Sequence, residues 1–218
     1  MLSTNWRGYR LAAWFAQGLL AIAIVAVAIQ GKWLAAATLA GFLLISFAFV
    51  KLERRLPTLF DLVFMIAALI NAGGWAWDLY NQPGPYDEIA HFYTIFAITL
   101  ATGYLLYSEL MGSFRDHRVL FVITIASLGI AIGALWEVGE WLADFVTPKQ
   151  IVSGLFDTIT DIMLDSAGAV LAALLNLWGL NELHRADGAA TRDLPDHSHE
   201  PETASGAPAP VPGTSRSR

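Results

Sequence analysis

Leu11-Ala12-Ala13-Trp14-Phe15-Ala16-Gln17-Gly18-Leu19-Leu20-Ala21-Ile22-Ala23-Ile24-Val25-Ala26-Val27-Ala28-Ile29 contains no charged side chain. As a helix rising about 1.5 Å per residue, a run of this length can cross a hydrocarbon layer about 30 Å thick. It follows Asn5-Trp6-Arg7-Gly8-Tyr9-Arg10 and is too long for the apolar part of a signal peptide, so it reads as a retained span. The same test finds further spans at 33–50, 58–77, 89–107, 119–145 and 156–178. Gln30-Gly31-Lys32, Asn81-Gln82-Pro83-Gly84-Pro85 and Thr147-Pro148-Lys149 supply turn chemistry between spans, and charged or glycine-led segments make the other two breaks. The expected fold class is all-α, a polytopic integral membrane bundle of six transmembrane helices over residues 1–181. Residues 182–218 are rich in Ala, Pro, Ser, Gly and Asp and are expected to form a disordered cytoplasmic tail.

Composition supports the membrane reading. The 218 residues are 56% hydrophobic and 15% charged, with a mean hydropathy of +0.51, values that a water-soluble domain of this length hardly reaches. Without cysteine there is neither a disulfide framework nor a thiolate metal site, so any metal must be held by oxygen or imidazole. The formal charge of -6 matters less than where the charges lie. Arg7, Arg10, Lys51, Arg54, Arg55, Arg115 and Arg118 fall in alternate loops, whereas the other side has only Lys32 and Lys149. The positive-inside rule then predicts a bacterial inner-membrane protein with both termini cytoplasmic and the loop from Asp78 to Glu88 outside.

Three elements approach that outer side, and each brings acids. Tyr86-Asp87-Glu88-Ile89-Ala90-His91-Phe92 opens the fourth span, with Asp87 and His91 four residues apart and about 40° apart on one helical face. The fifth span ends Trp136-Glu137-Val138-Gly139-Glu140-Trp141. The sixth begins with Asp157, Asp161 and Asp165 at i, i+4 and i+8, a stripe that drifts by about 80°. Asp87 and Asp157 also suit the role of first-turn acids at a helix N-terminus. That role does not extend to Asp161 and Asp165, one and two turns further in, nor to Glu137 and Glu140 at the opposite end of their helix. Intramembrane carboxylates are costly and mark functional sites. The last three spans contain no Lys or Arg, so the acids must hold protons or recruit a cation.

Carboxylates with one imidazole suit a divalent metal ion: Mg²⁺, Mn²⁺, Ca²⁺ or Zn²⁺. His91, Glu137, Asp157, Asp161 and Asp165 are the expected ligands, with Glu140 or Asp87 as catalytic base. Asn71-Ala72-Gly73-Gly74 is expected to serve close helix packing, and Trp75, Trp77, Trp136 and Trp141 an outer aromatic belt. Asp196-His197-Ser198-His199-Glu200 has metal-binding composition, read as incidental in a disordered tail. There is no serine elbow, phosphate loop, HExxH or nucleic-acid-binding stripe.

On these residues the chain resembles the YjdF-like family of bacterial inner-membrane proteins. That family carries Asp-x-x-x-His-Phe, Trp-Glu-x-x-Glu-Trp and Asp-Thr-x-x-Asp segments, the last followed by a Gly. Here they are Asp87 to Phe92, Trp136 to Trp141, and Asp157, Thr158 and Asp161 with Gly168. The pattern is more distantly similar to VanZ-like proteins, from which Glu140 and Asp165 depart by placing acids where amides stand. The resemblance implies a shared site rather than an activity. The expected function is metal-dependent hydrolysis or group transfer on a lipid or envelope substrate at the periplasmic face. A proton or cation transporter using the acids as a relay, and a non-catalytic membrane scaffold, are the alternatives.

Overall fold

The computed structural model describes residues 7–51, 56–114, 117–147 and 151–192. Six long helices account for nearly all of them: α1 (Arg7–Ile29), α2 (Trp33–Lys51), α3 (Thr58–Ala76), α4 (Tyr86–Phe114), α5 (Arg118–Ala143) and α6 (Leu155–Arg192). Each contains a stretch long and apolar enough to cross a membrane. Among the described residues there is no strand; a single 3-10 turn, Leu79–Asn81, lies between α3 and α4.

The turns follow from local chemistry. Gly31 ends α1 at φ 77°, a conformation that costs glycine little, and the Lys32 N–H then reaches back to the Val27 carbonyl at 3.0 Å. Lys32 also donates from Nζ to the Trp75 carbonyl, which ties the α1–α2 turn to the last turn of α3. Pro57 precedes α3, where its missing N–H costs the helix nothing. Successive helices run antiparallel, so the ends of α1, α3 and α5 lie with the starts of α2, α4 and α6.

Two groups of apolar side chains fill the interior. One joins α1, α2 and α3 through Leu20, Val27, Leu39, Phe42, Phe64 and Met65, with Trp136 of α5 against it. The other joins α5 and α6 through Phe121, Ile125, Ala126 and Ala173. Elsewhere α4, α5 and α6 approach almost backbone to backbone. A Cβ on Gly168 would collide with the Phe92 carbonyl oxygen, and one on Gly129 with Thr99 and Ala169. Small residues permit this approach, and close packing is what holds helices together where lipid offers no hydrophobic drive. Leu11, Phe15, Ile22, Val119, Ile123, Leu135 and Met163 point outward, as a lipid-facing surface requires.

At the end opposite the acids, Arg10 of α1 donates to Asp61 of α3. Ser46 of α2 donates to the second oxygen of Asp61 at 2.7 Å, and Gln17 of α1 to Ser46 at 2.7 Å. This buried clasp joins three helices.

Several boundaries differ from expectation. The fourth helix starts three residues earlier than the apolar pattern indicated, at Tyr86, because Asp87 and Glu88 are favourable in a first helical turn. The sixth continues to Arg192, past the apolar segment that ends at Trp178 and past Glu182, where disorder was expected. Residues 1–181 and 182–218 form separate units, the second helical up to Arg192. The remainder of the tail, with the Asp196 to Glu200 tract, lies outside the described residues, as do Arg54, Arg55, Arg115 and Lys149.

Candidate functional site

His91 stands at the centre of the acids. It sits in the second turn of α4, is 6% exposed, and faces carboxylates from all three of the last helices. Its Nδ1 lies 3.4 Å from Asp165 Oδ1 and 3.5 Å from Glu137 Oε1, and its Nε2 lies 3.7 Å from Asp87 Oδ1. Asp161 joins Asp87 and His91 in a group whose ligand-type atoms are all within 4.8 Å of one another. Glu140 joins His91 and Glu137 in a second group with the same limit. The structure thus brings together six of the seven residues singled out from the sequence.

Asp157 has a different position. Its Oδ2 accepts the Ser153 N–H at 3.0 Å, the first-turn role open to it from its place in α6, and it belongs to neither compact group. It remains within Coulombic reach of Asp87 and Asp161. It stands as a helix-start acid at the edge of the compact groups.

Depth orders the rest. Asp165 is 1% exposed, Asp161 3% and Glu137 6%, while the Asp87 side chain is 32% exposed and lies at the mouth. Gly133 makes the deepest position possible, because a Cβ there would stand 2.5 Å from Asp165 Oδ2 and 2.7 Å from Asp165 Cβ. The aspartate therefore lies flat on the α5 backbone. Asp165 Oδ2 is buried with no hydrogen-bond partner, and Asp165 Oδ1 and Glu137 Oε1, also buried, meet only His91 Nδ1, at 3.4 and 3.5 Å, without a well-formed bond. Buried carboxylate oxygens are seldom left so, since an unmade bond costs more than the net gain of a made one. Glu140 is better served: Trp136 Nε1–H donates to its Oε1 at 2.9 Å. Among the described residues, no Lys or Arg ion pair reaches the cluster.

A second polar chain supports the mouth. The Tyr80 hydroxyl donates to Asn71 Oδ1 at 2.9 Å, and Asn71 Nδ2 donates to Thr94 Oγ1 at 2.8 Å, one turn along α4 from His91. The Tyr80 ring occupies the space a Cβ on Gly74 would take. Burial pushes the Tyr80 phenol well above its ordinary range, and Asp87, Tyr86 and Glu140 add to this, so it stays a donor. Asn71 and Gly74 serve packing, as expected, but they also hold the α3–α4 connection beside the acids. Sequence reading missed the parts of Tyr80, Thr94 and Gly133, although Gly133 lies four residues before Glu137 and so on the same face of α5. Of the expected aromatic belt, Trp77 and Trp141 are exposed, whereas Trp136 turns inward to Glu140 and the Phe42 ring.

Fold and cluster together define a multi-pass helical membrane protein with an acidic, histidine-centred site enclosed by its last three helices. Residues 12–181 match the family described as "Predicted membrane protein (DUF2238)", and the chain belongs to it. This is the YjdF-like family its motifs resemble; the more distant VanZ-like relation is not shown. An uncharacterized protein of Thermotoga maritima is 34% identical over 124 residues, which cover 56% of this chain and 60% of that protein. The chain thus spans about 60% of the length of the curated relative it matches. No solved structure matches it.

Proposed function

We propose that this protein binds a divalent cation at the outer ends of α4, α5 and α6 and uses it to hydrolyse, or transfer a group on, a lipid or envelope substrate. The observation that carries the reading is the set of buried Asp165 and Glu137 oxygens that have no well-formed hydrogen bond and only His91 beside them. Uncompensated carboxylates at that depth require neutralisation, and one dication offsets several at once. The distances from His91 Nδ1 to Asp165 Oδ1 and to Glu137 Oε1, 3.4 and 3.5 Å, each suit a pair of donors on one ion. Two donor atoms about 2.1 Å from an ion at a tetrahedral angle lie about 3.4 Å apart, as do two at about 2.4 Å and a right angle. His91, Glu137, Asp161 and Asp165 are the proposed ligands, with Glu140 or Asp87 taking the proton from ion-bound water.

In this reading the site faces the periplasm from a bacterial inner membrane and both termini are cytoplasmic, in keeping with the Lys and Arg distribution. Membrane lipids are its neighbours and the source of its substrates; nucleic acid is not a partner. The enzyme reading is preferred over a proton relay because the cluster's described carboxylates gather at one end of the bundle. Beyond Asp165, Gly129 packs closely on Thr99 and Ala169, and Gly103 on Asn176 and Ile125. The carboxylate at the far end, Asp61, is held by Arg10 and Ser46 in a different set of helices.

Elemental analysis of the purified protein, with thermal unfolding across concentrations of Mg²⁺, Mn²⁺, Ca²⁺ and Zn²⁺, tests the reading. A ligand that binds the folded state at 100 times its Kd stabilises by about 2.7 kcal/mol, so the melting temperature should rise with at least one ion. A protein that purifies without metal and responds to none of the four defeats it.

A further inference from the structure

His91 presents its two ring nitrogens to two unlike sets of carboxylates. On the Nδ1 side lie Asp165 Oδ1 at 3.4 Å and Glu137 Oε1 at 3.5 Å, both buried and without a well-formed hydrogen bond. On the Nε2 side lies Asp87 Oδ1 at 3.7 Å, from the same helix one turn earlier and 32% exposed. The first set has no solvent to screen it, whereas Asp87 is open to water. The demand for neutralisation therefore falls on the Nδ1 side, where a cation can meet it, while Asp87 at the mouth can remain charged in contact with water. Neutral imidazole has one N–H and one lone pair, so a lone pair given to an ion from Nδ1 leaves the proton on Nε2, facing Asp87.

We infer that the cation is bound through His91 Nδ1 together with Glu137 and Asp165, and that Asp87, whose Oδ1 stands 3.7 Å from Nε2, is a positioning residue that closes by several tenths of an ångström to accept the Nε2–H. This rests on the cation-site reading above and reassigns one residue within it. The arrangement is a carboxylate–histidine–metal series, in which the outer carboxylate fixes the tautomer and ring orientation and raises the basicity of the ligating nitrogen. It leaves Glu140, already oriented by the Trp136 N–H, as the carboxylate that receives a proton from bound water.

The test uses the full-length protein in detergent with Zn²⁺ or Ca²⁺ alone as probe. Replacing His117, His184, His197 and His199 by Gln leaves His91 the only histidine, so ¹⁵N-histidine labelling reports it without assignment. On addition of ion, the Nδ1 resonance should shift while Nε2 keeps its proton, with one ion bound per chain. Asp87→Ala should lower ion affinity about 10- to 100-fold, and Asp87→Asn less, since its amide oxygen still accepts the N–H. Both variants should keep the ion-free melting temperature close to that of the unsubstituted protein, because Asp87 lies at the site's edge. Two ions per chain, a shift at Nε2 in place of Nδ1, or unchanged affinity in Asp87→Ala would each overturn the assignment while leaving the cation site standing. An unsubstituted protein that binds neither ion overturns both.

Discussion

Asp165 is the side chain with the least freedom in the cluster. It is 1% exposed, both its oxygens lack a well-formed hydrogen bond, and Gly133 holds it against the α5 backbone. Asp165→Asn keeps its volume and removes its charge, so two opposite effects are expected. Without added ion the variant should melt higher than the unsubstituted protein, because one of several mutually repelling carboxylates is gone. With ion present the order should reverse, as a ligand is lost and apparent affinity falls by at least about tenfold, or about 1.4 kcal/mol. Thermal unfolding in detergent, with and without ion, reads both. A variant whose ion response matches that of the unsubstituted protein would remove Asp165 from the ligand set.

Element packing decides whether those side chains meet at all. Gly168 lies on the α6 face that carries Asp161 and Asp165, and its Cα rests against the Phe92 carbonyl of α4, next to His91. Gly168→Ala must push the two helices apart, because the obstacle is backbone that cannot rotate away; a loss of about 1–3 kcal/mol is expected. Gly139, two residues from Glu137 on the outer face of α5, meets nothing within 4 Å, so Gly139→Ala should be neutral or stabilising by up to about 1 kcal/mol. Equal melting temperatures for the two variants would contradict the close α4–α6 approach. Sequence alone reached the polar side of this arrangement, because a helical stripe of acids without basic partners can be read from spacing. It could not reach Gly133, or the meeting of Arg10 with Asp61 fifty-one positions away, since both depend on which helices become neighbours. Asp157 shows the limit in the other direction: its spacing continues the stripe, but at the helix start its carboxylate turns to a backbone N–H.

Across the whole molecule the two ends differ in kind. One end gathers Asp87, Glu137, Glu140, Asp161 and Asp165 around His91, with Lys32 bonded to the end of α3 as its described cation. The other carries Arg7, Arg10, Lys51 and Arg118 at helix termini, with Arg10 bound to Asp61. Basic residues in short loops are retained on the cytoplasmic side during insertion, whereas acids contribute little to orientation. The Arg-rich end should therefore face the cytoplasm and the acids the periplasm. Because α1 starts at the Arg-rich end and the described residues hold six spans, an even number, residues before the first span and after the last should share that compartment. Alkaline phosphatase, active only after export, should be active when fused near Gly84 and inactive when fused near Glu53 or Arg192. The opposite pattern would put the acid cluster in the cytoplasm and deprive the proposed envelope substrate of access to it.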